Sequence, residues 1–152
     1  MSSIVGPADV VTPVVLFLKS HGFQASATVP DNKPYGTVRV SRTGGGPENQ
    51  VQDVAELLIE LWELDTNRAW ASAIRAWQLF AEVAPDQHDA MPPLTIYEVI
   101  PSVPLQYQDP YTEGLIRFQF TLSVRYRMVE LDPILLPAPE PDPPAPDPDP
   151  ES

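Results

Sequence analysis

The stretch that decides the fold is Leu115–Met128, which reads LIRFQFTLSVRYRM. Apolar side chains occupy every second position from Ile116 to Met128, and an arginine, glutamine, threonine or serine fills each position between them. Because successive side chains of a strand point to opposite faces, this pattern is typical of an antiparallel strand with one buried and one polar face. The run of seven inward residues predicts a long antiparallel strand.

Further segments upstream predict shorter strands, turns and loops. Alternation predicts strands over about 23–28, 37–42 (with Val38 and Val40 inward) and 95–100. A cluster of turn residues at 30–34 separates the first two. Gly44–Pro47 is expected to be a loop, and so is 101–114, which holds three prolines and a turn at Asp109–Thr112.

Two segments have helical periodicity. The first covers residues 8–21; it begins somewhere between Ala8 and Pro13 and ends at a left-handed cap on Gly22. The second covers residues 66–82, has Asp65 or Thr66 as its cap, and is followed by Pro85. Its predicted buried stripe consists of Trp70, Ala73, Ile74, Trp77 and Ala81.

Residues 51–63 fit two structures. A helical face would contain Val54, Leu57, Leu58 and Leu61, and the alanine, glutamate and leucine content favours a helix. A strand would instead place Leu57, Ile59 and Leu61 on one face, with Glu56, Glu60 and Trp62 opposite. Periodicity does not separate the two in so short an apolar run.

Composition divides the chain at about residue 130. Nine of its 20 prolines lie between Pro133 and Pro150, and residues 130–152 hold seven acids and no lysine or arginine. We therefore predict one domain at 1–130 and a disordered, polyproline-like tail at 131–152. The domain is expected to be α+β, with a mostly antiparallel sheet of about four to five strands packed against two helices.

Charge and residue content exclude several classes of function. The net charge is −12 and the chain has only two lysines, which argues against gripping nucleic acid, since phosphate contacts need clustered cations. Cysteine is absent, so no disulfide or thiolate site is expected, and folding in a reducing compartment is the simplest interpretation. No signal peptide is apparent, and the longest apolar run, Val14–Leu18, is too short to cross a bilayer. We expect a soluble protein.

No arrangement of residues predicts catalysis. His21 and His88 lack a second ligand at metal-binding spacing and are interpreted as surface residues. Gly44–Gly46 lacks the lysine and hydroxyl residue of a phosphate-binding loop. Glu56, Glu60 and Glu63 are interpreted as a solvated face, and Trp70 and Trp77 as core. We therefore expect no enzyme activity, cofactor or metal.

Three arginines on the polar face of the last strand leave two interpretations open. Arg117, Arg125 and Arg127 either pair with acids of a neighbouring subunit or form a solvated face.

The order of elements resembles that of the tail terminator (tail completion) proteins of long-tailed phages. The residues that carry the resemblance are a strand ending in Arg-Thr-Gly-Gly within Thr37–Gly45, the run Leu58–Asp65 before an alanine-rich helix, the loop Pro104–Pro110, and the strand Arg117–Arg125. The resemblance covers residues 8–128 and has no counterpart for the tail. It implies that residues 56–63 are a strand.

The resemblance also implies a function in assembly. Such subunits form a hexameric ring on the head-proximal end of the tail tube, stop its polymerisation and provide a docking face for the head–tail connector. DNA passes through the lumen without specific binding, and the protein belongs to the virion after assembly in the host cytoplasm. Loops 44–52 and 102–114 would lie at interfaces. The interface candidates are Arg39, Arg42, Gly44, Gly45, Gly46, Gln106, Tyr107, Asp109, Tyr111, Arg117, Arg125 and Arg127.

Two alternatives remain at this stage. One is another neck or tail subunit, such as a tube or head-closure protein. The other is a small cellular binding domain, or an enzyme with an unrecognised site, which a deep pocket gathering Tyr107 and Tyr111 would favour.

Overall fold

The computed structural model describes residues 4–28, 35–83, 87–107 and 114–130. The predicted turns at 30–34 and 109–112, Pro85 and the tail at 131–152 lie outside these ranges. The elements in chain order are β1 Val5–Gly6, α1 Val11–Ser20, β2 Gln24–Ser26, β3 Thr37–Pro47, β4 Gln52–Glu63, α2 Thr66–Ala81, β5 Ile96–Pro101, β6 Leu105–Tyr107, β7 Ile116–Arg127 and β8 Val129–Glu130.

The main sheet has the order β2-β3-β4-β7-β5, and β6 follows β5 along the same edge of β7. All neighbours are antiparallel except β2 and β3, which are parallel. The short strands β1 and β8 form a separate antiparallel pair close to the two ends of the described chain. The predicted α+β class with a mostly antiparallel sheet is confirmed.

The centre of the sheet is the pair β4 and β7, which are in register from Gln52↔Arg127 to Glu63↔Ile116. The predicted long strand is confirmed, and residues 52–63 form a strand, not a helix. Ala55, Leu57, Ile59 and Leu61 are buried on one face of β4. Pairing with β3 on one side and β7 on the other satisfies the backbone of this segment, and this outweighs its helical propensity.

Both helices pack on one face of the sheet. Helix α1 contacts β2 and β3, and α2 contacts β4, β5 and β7. The core between the helices and the sheet combines aliphatic residues of both with the aromatic residues Phe80, Phe118, Phe120 and Tyr126. Neither of the two described helices covers the other face of the sheet, so it is the face on which a functional surface can be exposed.

Helix α1 begins at Val11, inside the predicted range. The Asp9 carboxylate accepts hydrogen bonds from the backbone N–H and the hydroxyl of Thr12, and Pro13 is the third helical residue, where a backbone N–H would have no partner in the helix. The helix ends as predicted at Gly22, whose φ is +91°. The backbone N–H groups of Gly22 and Phe23 donate to the carbonyls of Lys19 and Leu18, which is a Schellman ending.

The predicted buried stripe of α2 is confirmed for Ala73, but the buried face is rotated from the one predicted. The buried residues are Ala69, Ala73, Ala76 and Phe80, whereas Trp70 is 46% exposed and Ala81 is exposed. Alanines on the inner side let the helix lie close to the sheet. The indole of Trp70 packs at the edge of the contact between helix and sheet, with its ring centroid 6.0 Å from that of Phe118. The predicted cap is confirmed, since the Asp65 carboxylate accepts from the Arg68 backbone N–H.

The loop predicted at Gly44–Pro47 is also wrong, because β3 continues through it and pairs with β4 up to Pro47↔Asp53. The register shifts between Arg42 and Gly44, which marks a β-bulge. Gly45 has a φ of +87°, and a Cβ there would lie 2.0 Å from the Val54 carbonyl oxygen. The glycine thus permits a close approach of two strands and does not end one.

Candidate functional site

The helix-free face of the sheet has an exposed apolar border along β5 and β6. Its four large side chains, Ile100, Val103, Leu105 and Tyr107, are between 43% and 63% exposed. Ile100 lies opposite Ser123, Leu105 opposite Gln119 and Tyr107 opposite Arg117, so these three side chains share the helix-free face with the polar residues of β7. We call residues 100–107 the apolar margin.

The apolar margin contains no charged residue. Among the described strands, β5 and β6 pair only with β7, so their outer edge has no strand neighbour. Natural edge strands are usually protected by charges, prolines or bulges, and the apolar margin has prolines but no charged residue. Pro101 and Pro104 remove two backbone donors, so a partner would be bound mainly through side chains, with backbone pairing confined to Leu105–Tyr107. The loop predicted at 102–114 is therefore partly strand.

Ser102 holds the margin onto the sheet where β5 gives way to β6. Its backbone N–H donates to the Thr121 carbonyl at 2.8 Å, and its hydroxyl accepts from the Thr121 backbone N–H at 2.8 Å. The register moves from Pro101↔Leu122 to Leu105↔Gln119, so the edge carries one more residue than β7 between these points. The exposed side chains are thus presented by a fixed backbone.

Next to the margin lies a buried ionic cluster, which we call the Glu60 cluster. Glu60 is only 2% exposed, and Arg39 lies directly opposite it and donates from Nε to Oε1 at 2.8 Å. Arg117 contributes Nε at 3.6 Å from Oε2, while its Nη2 donates to Gln119 Oε1 at 2.7 Å. The guanidinium of Arg117 also lies 5.9 Å from the ring of Tyr107. The predicted solvated face is wrong for Glu60, because two cross-strand arginines neutralise it.

The remaining arginines of the polar face differ. Arg125 donates from Nη2 to Glu48 Oε1 at 3.0 Å and from Nη1 to Glu98 Oε1 at 3.2 Å. Arg117 and Arg125 therefore pair with acids of their own chain, which is neither of the two alternatives considered from the sequence. Arg127 is exposed at the far end of β7.

The sequence reasoning missed a second ionic cluster, which lies on the helix side. Asp53 is fully buried; it accepts from Arg42 Nη1 and Nη2 at 3.1 and 3.3 Å and from the Tyr126 hydroxyl at 2.5 Å. The Tyr126 oxygen in turn accepts from the Ala8 backbone N–H at 2.8 Å. Burial, and then the hydrogen bond to Asp53, raise the pKa of Tyr126 above 10.0. A usable signal was present, since alternation places Arg42 and Asp53 on the inward faces of their strands.

The other interface candidates fall in different places. Gly44, Gly45 and Gly46 lie at the distal end of the β3–β4 hairpin, whose turn is held by Asn49 Oδ1 accepting from the backbone N–H groups of Val51 and Gln52. Gln106 is exposed on β6. Asp109 and Tyr111 lie outside the described residues. Of the candidates, the structure thus brings together Arg39, Arg117 and Tyr107, whereas Gln106 lies opposite the buried Phe118 and so points to the helix side of the sheet.

Titratable residues do not converge on a reaction centre in the part of the chain that the structure describes. No group of three His, Asp or Glu side chains there is placed to hold a metal ion. His21 and His88 are exposed, as predicted, and His88 Nδ1 lies 2.7 Å from the Ile96 carbonyl oxygen. None of the described helices is both long and apolar enough to cross a bilayer.

The apolar margin can bury apolar surface against another macromolecule. The charged side chains beside the apolar margin are paired with one another within the chain, and the four half-exposed apolar side chains of the margin lie next to them. A scan against protein-family models and a search of curated proteins found no match for this chain.

Proposed function

We propose that this protein is a structural subunit of a homo-oligomeric ring, of the type that terminates the tail of a long-tailed phage. The observation that carries the proposal is the apolar margin, an uncharged sheet edge with four exposed apolar side chains. Contiguous exposed apolar surface of this kind marks protein–protein contact sites in soluble proteins. The resemblance in element order supplies the class of assembly.

The charges support a packing surface over a ligand site. Glu60 and Arg39 pair with each other beside the margin, so neither needs a partner charge. A neighbouring subunit could then cover this surface without stranding a buried ion, which would otherwise cost several kcal/mol.

The strength of one contact follows from the exposed area. Fully burying an aliphatic or aromatic side chain contributes about 1.5–3 kcal/mol, and the four margin residues are about half exposed. The gain per contact is therefore about 3–6 kcal/mol, and the cost of association, at least about 4 kcal/mol, offsets most of it, so the affinity of one contact is weaker than millimolar. A single contact of this strength is weak. Each subunit of a closed ring makes two, so assembly is expected at high concentration or on a template such as a tail tube.

A head-to-tail contact relates each subunit to the next by a fixed rotation. When a whole number of these rotations completes a full turn the subunits close into a ring, and otherwise they form an open helical stack. In the ring that we propose, about six subunits cap the tube and present their other side to the head–tail connector. The net charge of −12 suits a lumen that DNA must pass without binding.

Light scattering after size exclusion, over a range of concentrations and with and without magnesium, tests this proposal when it is combined with negative-stain imaging. We expect a closed ring of about six copies for the wild type. Leu105→Asp should shift the protein to monomer without lowering its melting temperature, because the side chain is exposed in the monomer. An open helical stack would instead favour a tube subunit.

The matched control is Leu64→Asp, which makes the same change at a residue 47% exposed outside the margin. This variant should keep the ring. A ring that survives Leu105→Asp, or a wild type that stays monomeric even when mixed with purified tail tubes, would contradict the proposal.

A further inference from the structure

An apolar groove lies on the opposite side of the molecule, between α1 and the segment that follows α2. It has a volume of about 310 Å³ and is lined by Pro13, Leu16, Phe17, Ala90, Met91 and Pro92, with Ser20 as its polar contribution. Leu16 is half exposed at its rim. Cavities of about 150 Å³ with aliphatic walls take up benzene, so this groove has room for about two side chains of leucine size.

A second cavity of about 300 Å³ adjoins the first and shares Phe17 and Ala90 with it. Its walls include the carboxylates of Glu82 and Asp89 and the ring of His21. The two cavities therefore differ in chemistry, since one is apolar and the other is acidic.

The chain itself contains a segment that matches the apolar groove. Ile134, Leu135 and Leu136 stand between Pro133 and Pro137, and from residue 137 to residue 152 no apolar side chain is larger than alanine or proline. We propose that this triplet, Ile134–Leu136, binds in the groove of the same chain and fixes the start of the acidic tail on the helix side of the domain.

The path of the described chain brings its last residues to this side. Glu130 pairs with Val5, six residues before α1 begins, and the Arg127 backbone N–H donates to the Thr95 carbonyl, three residues after Pro92. The chain thus leaves β8 between the segment that leads to α1, which forms one wall of the groove, and the segment that contains Met91 and Pro92, which form the other wall. Residues 131–136 can extend up to about 20 Å, which exceeds the length of about 15 Å of the ten-residue helix α1.

Charge and backbone preference select the triplet over the rest of the tail. The acidic residues from Glu140 onward are repelled by Glu82 and Asp89 of the second cavity. The uncharged triplet is therefore the part of the tail that suits this side of the domain, and its apolar side chains match the apolar groove. Proline fixes its own φ, and the residue before a proline is restricted to extended conformations, so the segment loses little conformational entropy when it binds. Binding here also leaves the apolar margin, on the other face of the sheet, uncovered.

Paramagnetic relaxation measured by NMR on the full chain tests this proposal. Because the protein has no cysteine, Ala138→Cys provides a single attachment point for a spin label just beyond the triplet. We expect strong broadening of the methyl signals of Leu16 and Met91 and little at Leu105, which lies in the apolar margin on the other face of the sheet. Adding Leu135→Asp should abolish the broadening, while Ala145→Asp, which adds the same charge outside the triplet, should preserve it.

A mixture of isotope-labelled chains without the spin label and unlabelled chains with it identifies which chain supplies the triplet. Broadening within one chain but not in the mixture supports the proposal. Broadening only in the mixture would mean that a second copy fills the groove, and no broadening in either sample would mean that another partner or none does; both results would overturn it. Hydrogen exchange gives an independent measurement, since Leu135→Asp should accelerate the amides of α1 by at least about threefold.

Discussion

Replacing either partner of the Arg42–Asp53 pair should destabilise the domain, and the two replacements should not be equal. Asp53 is fully buried, whereas the Arg42 side chain is 28% exposed. Arg42→Leu leaves a carboxylate in the core with only the Tyr126 hydroxyl as a partner. Asp53→Asn leaves a guanidinium that water can still reach.

The magnitudes follow from these exposures. Removing one partner of a buried ion pair typically costs about 3–5 kcal/mol. We expect Arg42→Leu at the upper end, about 4 kcal/mol, because the stranded charge has no access to water. Asp53→Asn keeps the volume and one hydrogen-bond acceptor, so we expect about 2–3 kcal/mol. Replacing both residues with leucine should recover part of the loss, because no charge is then left alone.

Urea unfolding followed by tryptophan fluorescence measures these differences. For a domain of this size, 4 kcal/mol corresponds to a midpoint shift of roughly 2 M. The control is Glu48→Gln, which removes an exposed partner of Arg125 and should cost less than about 1 kcal/mol. A cost of Arg42→Leu no larger than that of Glu48→Gln would refute the argument, and so would a double replacement less stable than either single one.

The remaining predictions concern the bulge, the other ionic cluster and the buried tyrosine. Gly45→Ala should cost more than about 2 kcal/mol, while Gly44→Ala, with nothing within 4 Å of its Cβ, should cost about 0.5 kcal/mol or less; equal urea midpoints would contradict this. Glu60→Gln leaves two arginines facing each other and should cost about 2 kcal/mol by thermal unfolding, and a loss below about 0.5 kcal/mol would be inconsistent with a structural cluster. The pKa of Tyr126 is raised, so its contribution to the free energy of unfolding is complete below pH 10 and is lost as the pH rises above it. The stability difference between wild type and Tyr126→Phe should therefore shrink between pH 9 and pH 11. A difference that grows over this range would refute the assigned environment.

Side-chain alternation predicted the sheet, because a strand alternates its faces regardless of what lies around it. Val38 and Val40 on β3, and the apolar positions of β7 from Phe118 to Tyr126, are buried as expected. The C-terminal end of α1 was predictable for a similar reason, since Gly22 adopts a conformation that other residues rarely do. These are local properties of the chain.

Features that depend on a distant partner were not predictable in this way. Residues 52–63 were ambiguous until β3 and β7 supplied strand partners on both sides. The glycine run was expected to be a loop, because composition does not reveal that Gly45 sits where Val54 approaches it. The predicted orientation of α2 was wrong because the large apolar side chain of Trp70 dominated the hydrophobic pattern over the alanines. Packing instead places the small alanine side chains next to the sheet.

The sequence by itself determined an α+β domain built on one long amphipathic strand, together with a proline-rich acidic segment after it. The tertiary structure decided which charges are available, because Arg39, Arg117 and Arg125 find their acids on neighbouring strands or in the β3–β4 turn. It also decided which apolar residues are exposed, since burial depends on the neighbours that the sheet order brings together. The apolar margin is exposed because β5 and β6 form the last position of the sheet.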